Sequence, residues 1–424
     1  MYVFAILSAL VTLAAAFSLI SYKVLRLPTT IGVMLLSLAT STLLVISGHA
    51  IPSLHARAVA IVGHIDFSAL VLHGMLAFLL FAGALQLNLR DLAKQKSVVA
   101  SLSIFGTLLS TVFVAALLKV ILSVTGLEMG FVPCLLFGAL ISPTDPITVL
   151  EMLRRVGAPP SLEAQLTGES LFNDGVGAVL FLTLFESFSH GTRPTVAGFT
   201  WMLLVKAGGG IALGLILGWL AYRLMRRVDS YRVEELLTLA LAMGGYALAD
   251  WLRLSAPLEV VAAGLIAGGR ARELAMSQVT RERVDRFWEL IDDMLNVILF
   301  LLLGLQLLVM PWDRHYLYAG LLAIPVVLAA RWLSVTASLL LVRMFHKPVR
   351  GAITILTWGG LRGGLAVALA LALAGESGHD RVLAITYIVV IFSIVVQGLT
   401  MDRLLRKLGF ASPARAAAQR PAEG

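Results

Sequence analysis

Four stretches of this 424-residue chain carry side chains able to do chemistry. The first reads Gly168-Glu169-Ser170-Leu171-Phe172-Asn173-Asp174-Gly175. On a helix, Ser170 and Asp174 share one face, and Glu169 and Asn173 share the next, about 100° round. One stripe can therefore meet an ion while the other makes structural contacts. The second stretch, Ser142-Pro143-Thr144-Asp145-Pro146, has two prolines three apart, which remove amide donors and disfavour helix just before each. That frees carbonyls such as the one of Thr144. The others are Arg331 in an apolar run and Gly359-Gly360-Leu361-Arg362-Gly363-Gly364. Carboxylate, hydroxyl and carbonyl oxygens suit an alkali cation, and no imidazole or thiolate cluster suits a transition metal. The histidines (49, 55, 64, 73, 190, 315, 346 and 379) lie mostly in loops or near the ends of apolar runs and receive no role. The lone cysteine, Cys134, excludes a disulfide framework and a thiol metal site, and reads as packing.

The elements that must hold these residues are membrane helices. The chain is 59% hydrophobic and only 14% charged, whereas a soluble domain needs about 25% charge. Its apolar runs are continuous, without β-barrel alternation. Hydropathy and breakers predict about thirteen spans: 2–21, 29–47, 66–88, 97–124, 130–155, 165–189, 199–225, 233–251, 257–271, 284–309, 314–343, 350–374 and 381–405. Alternating the loops puts 24 Lys and Arg on one side and 5 on the other, with four inside spans. By the positive-inside rule this places the N-terminus outside and the C-terminus in the cytoplasm. The net charge of +8 then reflects cytoplasmic loops, and a nucleic-acid partner is excluded. The first apolar run begins at Tyr2 with no Lys or Arg ahead of it, and Lys23 and Arg26 follow. This reads as a retained span, with cleavage near Ala14–Ala16 as the lesser alternative. Segment 271–286, rich in Arg and Glu, reads as a solvated cytoplasmic loop leading into a helix, and 411–424 as a disordered cytoplasmic tail.

Spans five and twelve are interrupted at their centres, by the prolines and by the glycines. Each is the middle helix of a set of three, 4–6 and 11–13, and the sets start from opposite faces. Interrupted helices at corresponding positions of inverted halves point to a secondary transporter's binding site near the midplane. An ionisable group at mid-span is a functional candidate because its burial is costly. Asp174 is too short and too deep to snorkel, which suits Glu169 somewhat better. Asp145 has two readings: a cap on the second half of span five, favoured by the amides and dipole there, or an ion ligand. Arg331 needs a counter-charge, and Glu169 is the preferred partner. Arg362 would sit near the negative C-terminal ends of the half-helices, mirroring Asp145 at the positive ends. Lys119 and Lys206, nearer the outer ends, are expected to snorkel.

These residues also carry a resemblance. FAGALQLNLRDL (81–92), SPTDP (142–146), GESLFNDG (168–175), RWLSV from Arg331 and GGLRGG (359–364) resemble the monovalent cation:proton antiporter superfamily. The likeness is greatest to its sodium/proton exchanger branch, the bacterial NhaP-type proteins, and it covers nearly the whole membrane region in the family's order. It implies an all-α polytopic protein of thirteen helices with two inverted repeats and broken helices 5 and 12 crossing at the midplane. It implies a homodimer in the bacterial inner membrane. The dimerisation domain would comprise 1–95 and 233–311, the mobile core 96–190 and 312–410, and 191–232 a linker helix, before the tail 411–424. Asp174 would be shared alternately by cation and protons, with Ser170 and the Thr144 carbonyl as further ligands of sodium, lithium or potassium. Asn173 before Asp174 is grouped with the cation- and proton-binding residues and resembles the electroneutral branch, and Glu169–Arg331 resembles the core ion pair. No cofactor is implied beyond the transported ions. The tail is far shorter than in animal exchangers, and Gln86 and Asn88 stand where relatives often have other polar residues.

Three rival classes are weighed against this. A monovalent cation channel, the runner-up, needs a through-pore with rings of ligands, and the chain offers one asymmetric acidic site. An intramembrane protease could use Asp145 and Asp174 as a dyad, or the serine-like Gly375-Glu376-Ser377-Gly378, but that serine sits in an external loop without a suitable histidine. A receptor-like or structural membrane protein would lack transport altogether.

Overall fold

The computed structural model describes residues 2–48, 51–189, 195–228, 230–272, 275–310, 313–342, 349, 351–374 and 378–410. The tail 411–424, Gly375–Ser377 of the serine-like motif, His49, His190, His346, and Arg193, Arg343, Lys347 and Arg350 of the loop charges lie outside them. Among the described residues the secondary structure is helical, with no strand. In chain order the helices are α1 (Phe4–Leu25), α2 (Thr29–Ser47), α3 (Pro52–Gly63), α4 (Phe67–Gln86), α5 (Leu89–Val124), α6 (Phe131–Ile141), α7 (Ile147–Val156) and α8 (Pro160–Ser189). They continue as α9 (Val196–Met225), α10 (Tyr231–Trp251), α11 (Ala256–Gly269), α12 (Gln278–Leu308), α13 (Arg314–Val342), α14 (Ala352–Trp358), α15 (Gly364–Leu371) and α16 (His379–Lys407). Among the described residues, nine of these are long and apolar enough to cross a membrane. The chain is a multi-pass helical membrane protein.

Local chemistry explains where the helices stop. α6 ends at Ile141, before Pro143, and α7 starts after Pro146 and closes on Gly157, whose φ of 69° is left-handed. Arg154 and Arg155 occupy the last turn of α7, where cations meet the helix dipole favourably. α14 starts after Gly351 (φ 78°) and stops before the glycine run, and α15 resumes at Gly364. Asn88 caps α5 by accepting from the amides of Arg90 and Asp91. Packing depends on small residues: Gly210, Gly214 and Gly218 form one stripe of α9. A Cβ on Gly214 would stand 2.2 Å from the Glu259 carbonyl oxygen of α11, so only glycine permits this approach.

The structure corrects several boundaries. Residues 52–63, read as loop, form α3, with Pro52 at its first turn, where the missing amide costs nothing. Segment 271–286 is loop only in part. α12 begins at Gln278, its Ser277 cap accepting from the Thr280 amide at 3.4 Å, so Arg281 and Arg283 are helical. α5 begins eight residues before position 97. Lys119 and Lys206 each find a polar partner. Lys119 Nζ donates to the Met129 carbonyl at 2.9 Å, and Lys206 Nζ lies 2.7 Å from a Glu186 carboxylate oxygen. Among the described residues, five π-helical turns, at Ser21–Leu25, Leu70–Met75, Ser101–Gly106, Ala267–Ala271 and Ser393–Gln397, interrupt or end otherwise regular helices.

Candidate ion-binding site at two helix breaks

The two interrupted segments meet each other. The Asp145 amide donates to the Leu361 carbonyl at 2.8 Å, an isolated antiparallel bridge between extended residues in each gap. The helix ends around this crossing are balanced by charge. Arg362 Nη1 donates to the carbonyls of Ser142 and of Pro143, the latter at 2.8 Å, so it sits on the C-terminal end of α6. Its own amide donates to Ser393 Oγ at 2.9 Å. Asp145 occupies the positive ends: its Oδ1 accepts from the Ile147 amide at 3.1 Å at the start of α7. A Cβ on Gly363 would come within 2.6 Å of Asp145 Oδ2, so glycine is what lets the start of α15 approach the same carboxylate.

Arg331 has two jobs here, one of which the sequence does not suggest. Its Nη1 lies 2.5 Å from Glu169 Oε1, both side chains buried. Its Nε and Nη2 also donate to the Leu356 carbonyl, at 3.3 and 3.1 Å, in the last turn of α14. That carbonyl has no partner within the helix ladder, so a guanidinium there offsets both an orphan acceptor and the dipole.

α8 faces the crossing with its polar stripes. Ser170 Oγ donates to the Thr144 carbonyl at 2.6 Å. Asn173 makes two bonds to the same residue: its Oδ1 accepts from the Thr144 amide at 3.2 Å, and its Nδ2 donates to Thr144 Oγ1 at 2.9 Å. Asn173 is thus a clamp that holds the extended loop in place, and it is absent from the cavity wall, although the sequence grouped it with the ion ligands. Asp174 points the other way. With Ser170, Thr144 and Asp145 it lines a cavity of about 500 Å³. Asp145 and Asp174 lie within Coulombic reach of each other.

The cavity runs from this floor toward Asn88, Asp91, Arg154 and Glu163, on the side richer in Lys and Arg. Its charged lining is Asp91, Asp145, Glu151, Glu163, Asp174, Glu289, Asp292 and Asp293 against Arg154. A cleft lined by one sign of charge concentrates the opposite ion. The residues missed from sequence are on α12, where Asp292, Asp293 and Asn296 form a second wall. The signal was an acidic pair followed by an amide four residues on, inside a segment read as the start of a span.

A multi-pass helical bundle in which two interrupted helices meet beside carboxylates is the architecture of an ion-coupled secondary transporter. The chain belongs to the sodium/hydrogen exchanger family: the family model for the transmembrane sodium/hydrogen exchanger matches residues 7–407. The Na(+)/H(+) antiporter NhaP of Pseudomonas aeruginosa is 42% identical over 413 residues, spanning 96% of this chain and 97% of that protein. The Na(+)/H(+) antiporter NhaH of Halobacillus aidingensis is 33% identical over 351 residues, 81% of this chain and 84% of that one. Among solved structures, the sodium proton antiporter MjNhaP1 from Methanocaldococcus jannaschii at pH 8 superposes with a TM-score of 0.76. It covers 96% of this chain and 100% of its own at 22% identity, which establishes a common fold. The NhaP-type resemblance of the motifs therefore holds. Membership places the chain among transporters, and the protease reading is set aside.

Proposed function

We propose that this protein exchanges a monovalent cation, sodium foremost and also lithium or potassium, for protons by alternating access at Asp174. The observation that carries this is the placement of Asp174 and Ser170 on one face of α8, at the floor of a carboxylate-lined cavity and beside the Thr144 carbonyl. A desolvated carboxylate needs neutralising, by a proton or by a cation, and it cannot hold both. Ser170 Oγ and the Thr144 carbonyl already touch, so a bound cation would take both oxygens once the hydroxyl turns its hydrogen away. A channel would need a continuous path, and nothing favours that reading.

In this proposal the chain makes thirteen crossings of the bacterial inner membrane, N-terminus outside and C-terminus cytoplasmic, so that the cavity opens to the cytoplasm. Segments 1–95 and 233–311 form a fixed scaffold, and 96–190 and 312–410 move against it, with 191–232 linking them. A homodimer is supported by α1 and α9, whose apolar windows are only 17% buried within the chain. Large side chains such as Phe4, Leu7, Trp201 and Ile216 are left uncovered on them.

Exchange is expected to be electroneutral. Asn173 cannot titrate, Glu169 is held by Arg331, and Asp145 is held by the Ile147 amide. Only Asp174 changes its load, and the carrier crosses with the same net charge with either ion. Purified protein in pH-loaded liposomes should show proton flux on addition of Na+, Li+ or K+, unchanged by a clamped potassium/valinomycin potential. No cation-driven flux would overturn the exchange reading. A steady current reversing with voltage would overturn the one-for-one count.

The bonds between the bodies include two at the end far from the cavity mouth: Tyr387 Oη donates to the Leu303 carbonyl at 2.9 Å, and Ser68 Oγ to the Ala368 carbonyl at 3.0 Å. Opening to the far side must break both. Tyr387→Phe removes one bond, worth about 1 kcal/mol, and should raise the outward-open population roughly fivefold by the same arithmetic. Labelling of a cysteine placed beside Ser68 from the outside checks this, and unchanged labelling would remove Tyr387 from the gate.

A further inference from the structure

The wall contributed by α12 carries oxygen ligands of its own. Asp292 and Asn296, four apart on one face, both line the cavity that contains Asp145, Asp174 and Ser170. Asn296 Nδ2 donates to Asp292 Oδ1 at 3.0 Å. A carboxylate can only accept here, so this bond fixes which end of the amide faces it. The other end, Oδ1, is buried and has no donor among the described residues, and the residue as a whole is 3% exposed. A buried acceptor left without a partner costs about 1–3 kcal/mol. Asp292 is also within Coulombic reach of Asp145, across the cavity from it.

The orphan amide oxygen lacks a donor, and the carboxylate beside it, with a second carboxylate within reach, leaves the spot short of positive charge. A hard monovalent cation satisfies all three at once, using the oxygen ligands such ions prefer. We propose that Asp292 and Asn296 Oδ1 form a second station for the transported cation, on the α12 wall of the cavity, from which it passes to Asp174. This rests on the cation-exchange reading and adds to it a site outside α6–α8. α12 packs chiefly on α2 and α4, so the station stays with the scaffold when the bodies move. It therefore serves the cation only from the face to which the cavity opens. The station is a specific pair of oxygens, distinct from the diffuse field of the neighbouring carboxylates.

The test measures Na+ KM separately on the two faces, in liposomes with uniformly oriented protein, together with melting temperature to certify folding. Asn296→Leu removes the oxygen without changing charge, and should raise KM on the cavity face about tenfold, the equivalent of one lost ion contact. Asp292→Asn should do the same, and Asn296→Asp, which keeps an acceptor oxygen there, should restore KM to the wild-type value or lower it. Glu282→Gln, a loss of equal charge on an exposed turn of the same helix outside the cavity, should change KM by less than about twofold. The other face should keep its KM in every variant. A wild-type KM for Asn296→Leu, an equal rise on both faces, or a loss confined to the maximal rate would each overturn the station. A second arm soaks crystals of Asp174→Asn with Tl+, where anomalous density beside Asp292 is expected and its absence overturns the proposal. That arm needs no transport, so failure of wild-type exchange and failure of the station are told apart.

Discussion

Asp174→Asn is expected to yield a folded protein whose cation-driven proton flux does not exceed that of empty liposomes. The argument is chemical. Asparagine keeps the shape of the side chain, but it can neither take up a proton nor neutralise a desolvated cation, and the carrier has nothing to exchange. Ser170 and the Thr144 carbonyl remain in place, held by the 2.6 Å bond between them and by Asn173. They are neutral and cannot substitute for a charge. Folding should survive because Asp174 lines the cavity rather than tying one helix to another. Flux is read from a pH-sensitive dye inside liposomes and folding from a melting curve. Normal exchange by a well-folded variant would remove Asp174 from the centre of the mechanism and throw attention onto Asp145.

Breaking the Glu169–Arg331 pair should be the largest single blow to stability. Removing one member of a buried ion pair typically costs about 3–5 kcal/mol, because the survivor is left charged without a partner. The two members are not equivalent. Glu169→Gln leaves Arg331 still bonded to the Leu356 carbonyl, whereas Arg331→Gln strips both the carboxylate and the end of α14. Arg331→Gln should therefore lower the melting temperature more, and reduce activity by loosening the crossing. The double variant should recover part of the sum, a coupling of about 0.5–3 kcal/mol. Purely additive losses would count against direct pairing, and a milder Arg331→Gln against the anchoring of the end of α14.

Much of this arrangement is legible in the chain because breaks and charges announce themselves. Pro143 and Pro146 cannot sit inside a regular ladder, a run of glycines around an arginine has no other use in an apolar span, and Arg331 had to find an anion. What stayed hidden depends on rotation of helices about their axes. Whether Asn173 meets the cavity or Thr144 is decided by the phase of α8, which no spacing within GESLFNDG fixes. The π-helical turns shift the phase of the helices that carry them, α1, α4, α5, α11 and α16. In α5 the turn at Ser101–Gly106 delivers Ser103 Oγ to the Glu169 carbonyl at 3.2 Å, a contact that a regular helix count does not foresee. Asp292 and Asn296 were hidden for a different reason: their chemistry exists only across a gap, against residues on α6–α8. Lys206 and Glu186, on neighbouring helices, likewise find each other only when α8 and α9 are packed.

The bond from Arg362 to the Ser142 carbonyl joins positions 220 residues apart, and this sets an order for biogenesis. A ribosome adding about 5–20 residues per second needs roughly 10–40 s to cover that interval. Throughout it, the unravelled end of α6 has already been delivered to the insertion machinery, while the guanidinium that will satisfy its carbonyls has not been made. Such an end cannot rest in lipid with its acceptors bare. The nascent chain must wait with that end in a wet or protein-lined vestibule, and only the late arrival of the glycine run lets the first half leave it. Quality control would then have a natural checkpoint, since a product truncated before Arg362 is marked by bare carbonyls at the end of α6.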